Sequence, residues 1–216
     1  MVSASSALAD GALEFIQLKD RDRAQLQSCF DTFAVPKAQQ DSLITSFLDG
    51  KMWKCVTNAE SPVASEQLLR NGVRWNLDRF SDGSVRANGI GTPEFSQGHT
   101  PRGVNDCGYE PGKKGNFANC NIYYWVGLVQ SGFRANFTVV HRGWDKITSV
   151  WAPSFTAIGA CSANVPEPSI VKRTESPTGA AVAGFTPSAT MCATNYSTTF
   201  PSYLHVGGDQ ATHHFQ

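Results

Sequence analysis

CNIYYWVGLVQSGFRANFTVVHRGWDKITSVWAP, residues Cys120 to Pro153, reads as three consecutive antiparallel strands. The first is predicted over Asn121–Val129 and the second over Phe133–His141, with Gln130-Ser131-Gly132 as the hairpin loop. In the second strand Phe133, Ala135, Phe137 and Val139 alternate with Arg134, Asn136 and Thr138, the period-two pattern of a half-buried strand. Arg142-Gly143-Trp144-Asp145 then turns the chain into a third strand, Lys146–Trp151, which Pro153 is expected to end. The rest of the chain is organised around this meander.

Upstream the pattern is helical. Leu26, Cys29, Phe30 and Phe33 recur at a spacing of three to four, and Val35-Pro36 stops that helix because a residue before proline avoids the α region. Leu43, Ile44, Phe47 and Leu48 line one face of a second helix, capped at Gly50. The pair is too small to fold alone and is expected to dock on another layer. After Ser61-Pro62 the chain turns to strands: Asn71–Phe80 and Ser84–Ile90 flank the turn Ser81-Asp82-Gly83. Further strands are predicted at Phe155–Ala160, Ser169–Glu175, Ala180–Phe185 and Tyr203–Val206, before a polar tail from Gly207. The expected fold is mainly β, an antiparallel β-sandwich of about seven or eight strands with an N-terminal helical hairpin. The expected division is residues 1–65 for the N-terminal segment and hairpin, and residues 66–216 for the sandwich.

Of 216 residues, 41% are hydrophobic and only 17% charged, and 18 basic residues balance 18 acidic ones. That argues for a folded core and against nucleic acid as partner, because phosphate binding requires a basic excess. No run approaches the roughly 20 apolar residues of a membrane-spanning helix. The six cysteines, Cys29, Cys55, Cys107, Cys120, Cys161 and Cys192, include no CxxC pair. Their even number and scatter point to disulfides in an oxidising compartment, paired in sequence order, and hence to a secreted protein.

CFDTFAVPKAQQDSLI, RFSDGSV, NFANCNI and VGGDQAT together resemble stretches of secreted actinobacterial proteins of unassigned function. The resemblance implies secretion and a shared fold, and it carries no catalytic residue.

Residues Gly91–Asn119 show almost no periodicity, and structureless stretches of this length are usually functional or mobile. Glu94, His99, Asp106 and Glu110 within it are the candidate acid/base groups of a secreted hydrolase. His99, His141 and His205 are far apart in sequence, and Ser162 lacks a nucleophile elbow. His213-His214 with Asp209 is the one plausible ion-binding group, discounted as a terminal tail, so no metal and no cofactor are expected. On the first meander strand Tyr123 and Trp125 lie opposite the face of Ile122, Tyr124, Val126 and Leu128. They are either covered by the helical hairpin or, with Trp144, form an aromatic binding platform. The leading expectation is therefore a non-enzymatic extracellular protein that binds a glycan or protein or assembles with identical subunits. The segment before Asp20, apolar over Ala12–Leu18, is the candidate donor strand for that assembly.

Overall fold

The computed structural model describes residues 18–57, 59–92, 107–110 and 114–215. The protein is mainly β and its sheets are antiparallel. The donor segment before Asp20 lies outside the described residues, apart from Leu18 and Lys19.

Two helices open the described chain, α1 (Asp20–Thr32) and α2 (Lys37–Leu48). α1 buries Leu26, Cys29 and Phe30, followed by Phe33, the stripe expected from the sequence. Ala34 takes a left-handed φ of 50°, and the Val35 N–H donates to the Phe30 carbonyl, closing the helix end as a Schellman-type cap. Gly50, at φ 78°, ends α2 in the same way, with the Lys51 N–H on the Ser46 carbonyl. A short α3 (Lys54–Thr57) follows. Asp82 in the RFSDGSV turn holds it: one carboxylate oxygen accepts the Lys54 N–H at 2.9 Å and the other the Ser84 N–H at 3.0 Å.

Seven strands form the main sheet: β1 (Ala64–Arg70), β2 (Val73–Arg79), β3 (Val85–Gly91), β4 (Gly108–Glu110), β5 (Lys114–Val126), β6 (Val129–Val140) and β7 (Lys146–Ala157). Their order is β1-β2-β3-β5-β6-β7, with β4 pairing on β5. A three-stranded sheet is built from β8 (Ala160–Asn164), β11 (Ser188–Met191) and β12 (Tyr196–Thr199). A four-stranded sheet joins β9 (Ser169–Lys172), β10 (Ala181–Phe185), β13 (Ser202–Gly207) and β14 (Gln210–His214) in the order β14-β13-β10-β9. The described residues thus hold fourteen strands in three sheets, where seven or eight strands in a sandwich were expected.

The meander is present, but its turns differ from the expected ones. Val126 pairs with Val129, so the β5–β6 turn is Gly127-Leu128, and Gln130-Ser131-Gly132 lie inside β6. Gly127 supplies the left-handed φ of 53° that the turn requires. It also permits close approach, since a Cβ there would lie 2.8 Å from the Trp53 ring and 2.9 Å from the Cys55 sulfur. Pro153 does not end β7 either. The β6–β7 register shifts between Gly132 and Arg134, and Ala152 at φ 51° stands with Pro153 in the resulting bulge. A bulge leaves a residue out of the ladder, which is where a strand tolerates proline. The polar tail, expected to be irregular, folds as β14.

Two cores lie on opposite faces of the main sheet. On the helix side, Leu26, Phe30, Phe33, Leu43 and Phe47 pack with Trp53, Trp75 and Leu77. That shared core joins the helical hairpin to the β sheets across the expected boundary at residue 65. On the other side, Ile122, Phe133, Ala135, Phe137 and Ile147 meet Ala181, Ala183, Phe185, Leu204 and Val206 of the four-stranded sheet. The inward alternation along β6 is the one read from the sequence.

Disulfides join Cys107 to Cys120 and Cys161 to Cys192. The expected Cys29–Cys55 bond is absent: both are buried free thiols. Cys29 faces the core from α1 and Cys55 packs beside the β5–β6 turn, each filling the role of a small apolar side chain. No helix of the described residues is long and apolar enough to cross a membrane.

Candidate functional site

Of the candidate acid/base groups, Glu94, His99 and Asp106 lie outside the described residues. Glu110 is described only in its backbone, at the end of β4 opposite Asn116.

The remaining histidines are held in separate places. His141 Nδ1 stands 3.2 Å from Asp209 at the β6–β7 turn. His205 and His214 lie on the outer face of the four-stranded sheet with ring centroids 4.4 Å apart. His213 points inward, where its Nε2 shares a 2.8 Å hydrogen bond with Ser202. Asp209, His213 and His214 therefore do not converge, because alternation along β14 sends the two histidines to opposite faces. Burial drives the His213 pKa down to about 3, with His214 and His205 adding to the shift. The Ser202–His213 pair has the atoms of a nucleophile and its base. Ser202 is fully buried, however, and a base needs a pKa near the working pH. The pair is a packed polar contact between strands.

The aromatic candidates divide. Tyr123 and Trp125 are half-buried beneath α1, with Phe33 edge-on to Trp125 at 6.0 Å and to Trp75 at 5.2 Å. Trp75 in turn lies 5.7 Å from Tyr123, and the Trp125 Nε1–H donates to the Gly127 carbonyl. The helical hairpin thus covers this face, and Tyr123 with Trp125 belongs to the core rather than to an open platform. Trp144 is 53% exposed on the β6–β7 turn.

Beside Trp144 three carboxylates knit loops together. Asp145 is fully buried and accepts the Val140 N–H at 2.7 Å. Glu175 accepts the Asp145 N–H at 3.1 Å and the Gly208 N–H at 2.8 Å. Asp209 accepts the Arg142 N–H at 3.2 Å. Burial, and then the charges of Glu175 and Asp209, hold the Asp145 pKa above the usual aspartate range. Each carboxylate accepts at least one backbone N–H, so the cluster acts as a clasp. Among the described residues no three His, Cys, Asp or Glu side chains are grouped to hold a metal.

One surface was not anticipated. The three-stranded sheet carries a shallow groove of ≈ 410 Å³ lined by Ser162, Asn164, Ser188, Thr190, Ser197 and Thr199. Register aligns them in two rows across the strands, Ser162–Thr190–Ser197 and Asn164–Ser188–Thr199. Ala189 and Met191 are buried in the core, so period-two alternation turns their neighbours Ser188 and Thr190 outward. Thr190 and Ser197 hydroxyls are 2.8 Å apart, and no charged residue lines the groove. The Cys161–Cys192 bond staples β8 beside β11. The signal was present in the sequence as Ser-Ala-Asn164, Ser-Ala-Thr190 and Ser-Thr-Thr199, three copies of a polar–x–polar tripeptide. Only the pairing register reveals that they lie side by side.

Compared with known proteins, the chain matches no family model, no curated protein and no solved structure.

Proposed function

We propose that this is a secreted, non-enzymatic extracellular module that binds a neutral, hydroxyl-rich polymer, a glycan chain, along the groove of the three-stranded sheet. The observation that carries this reading is the pair of cross-strand hydroxyl and amide rows. Strands lie about 4.8 Å apart and alternate side chains about 7 Å apart along each. Such a grid offers donors and acceptors at regular intervals to a chain of repeating hydroxyls. Neutral hydrogen bonds contribute about 0.5–1.5 kcal/mol each, so binding would be weak per site and nearly indifferent to salt. The two disulfides fit an extracellular setting.

The test is retention of the protein on insoluble glycans such as cellulose, chitin and bacterial cell wall. The combined variant Thr190→Ala, Ser197→Ala, Thr199→Ala is expected to wash off a matrix that holds the wild type. Equal retention of the two proteins would sink the reading. Hydrolysis of a model ester, peptide or glycan that is lost on substitution within residues 91–119 would replace it with the secreted hydrolase.

A second reading, assembly with identical subunits, is favoured by β1. It is the outer strand of the main sheet, and Leu69 on it and Val63 beside it are 70% and 66% exposed. An exposed edge of this kind is a template for strand addition. Mass in solution across a concentration series, with Leu69→Lys as the comparison, separates a monomer from a self-pairing protein.

A further inference from the structure

The outer face of the four-stranded sheet carries a second constellation, independent of the groove. Tyr203 pairs with His214 and His205 with Thr212, so His205 and His214 are diagonal neighbours across β13 and β14. Diagonal positions lie roughly 7–8 Å apart at the backbone, within reach of one another's rings. Here the ring centroids are 4.4 Å apart and the planes tilt by 49°. Thr212, on the same face, places its hydroxyl 2.9 Å from His214 Nε2. When Nε2–H donates to that hydroxyl, the lone pair of His214 sits on Nδ1. Metal-binding histidines are commonly oriented this way, with the second ring nitrogen donating to an oxygen. Tyr203 leans away over Gly184, and its hydroxyl meets Thr186 at 3.1 Å.

We propose that His205 and His214 form a cross-strand site for a divalent transition-metal ion of the zinc or nickel type, with His214 held by Thr212 and water filling the other positions. Imidazole nitrogens suit these metals, with bonds of about 2.0–2.1 Å to zinc. A ligand histidine must be neutral to bind. His213, between Thr212 and His214 in sequence, faces the core and takes no part. His141, held against Asp209, is separate and serves as the internal control.

Zn²⁺ titrated into the whole protein at pH 7.5, followed calorimetrically, is expected to show one saturable site. His205→Ala and His214→Ala should each weaken it at least tenfold, Thr212→Ala by a smaller factor, and His141→Ala should leave it unchanged. Because side chains on this outer face do not enter the core, the variants should melt within a few degrees of the wild type. In the unaltered protein, Zn²⁺ should shift the ring signals of His205 and His214 in the NMR spectrum and spare that of His213. No saturable binding, binding that survives either histidine substitution, or binding that requires His141 would overturn the site.

Discussion

On one face of the seven-stranded sheet, Phe30, Phe33 and Trp53 fill the space beneath the helices over Trp75 and Leu77. On the other, Ala181, Ala183 and Val206 sit opposite Ile122, Ala135 and Phe137. Beneath the helices the gap is closed mainly by indole and phenyl rings, whereas the two sheets, about 10 Å apart, close with alanines and aliphatic side chains around a few rings, Phe133 standing edge-on to Phe185 at 5.7 Å. The faces differ in polarity as well. The helix side satisfies its few polar groups locally, as when the Trp53 Nε1–H donates to the Leu43 carbonyl at 2.7 Å. The sheet side admits titratable and hydroxyl groups: His213 and Ser202 are buried, and the His213 ring centroid lies 5.9 Å from that of Tyr124. One face should therefore fail by loss of volume and the other by gain of charge.

Removing volume tests the helix side. Trp53→Ala empties a fully buried indole site and leaves the Leu43 carbonyl without its donor. The expected loss is about 3–5 kcal/mol by denaturant unfolding, and a loss below about 1 kcal/mol would mean that the helices carry little of the fold.

Acid tests the sheet side. His213 has its folded pKa lowered to about 3 from the ordinary 6.5, so the unfolded chain takes up the proton first. The stability this group contributes is present above pH 6.5 and falls as pH drops toward 3. Between pH 6.5 and pH 4 the loss from this group amounts to about 3 kcal/mol. Unfolding curves at half-unit pH steps should show that slope in the wild type and a flatter one in His213→Gln. An identical slope in the two would remove His213 from the account.

The contrast also extends to cysteine chemistry. Cys29 and Cys55 lie in the helix-side core, and burial pushes the Cys55 thiol up to about 12 and raises Cys29 as well. Thiolate is the reactive form, so neither should react with iodoacetamide in the native protein at pH 8. Unfolding without reductant should then release two thiols per chain, and labelling of either in the folded state would contradict their burial.

The smallest effect is expected at the Asp145 clasp. Its folded pKa is raised, so it stabilises the fold below the ordinary aspartate range and loses that contribution as pH rises through the raised value. Asp145→Asn keeps an oxygen for the Val140 N–H and adds an amide donor beside Glu175 and Asp209. Stability at pH 7 should change by less than about 1 kcal/mol, in the stabilising direction. A loss of several kcal/mol would show that the negative charge itself is required.

Elements that bury one regular face were legible in the sequence. The α1 stripe, β6 with Phe133 and Phe137, and the β2–β3 turn at Ser81-Asp82-Gly83 all stand where periodicity put them. β1 was not legible, because an outer strand exposed along almost its whole length has no alternation to display. β14 was hidden for the opposite reason: its one deeply buried side chain is His213, a residue usually read as surface. The misplaced turn at Gln130-Ser131-Gly132 shows a composition signal losing to geometry, since Gly132 serves to let the Ile122 carbonyl approach. The groove was illegible because its rows join residues up to 35 positions apart, brought together only by the β8–β11–β12 pairing.

The Cys161–Cys192 bond closes a loop of 31 residues that contains β9, β10 and β11. β10 and β11 are interior strands of the four-stranded and three-stranded sheets. A protease that cuts the exposed connection Val165–Pro168 would therefore release nothing. The two pieces would run as one species on a gel without reductant and separate only when it is added. The same closure lets an inserted sequence at that connection be carried outside both sheets, with the covalent path around the groove unbroken. The Val165–Pro168 connection is thus a position on the surface where the chain can be opened while the scaffold stays joined.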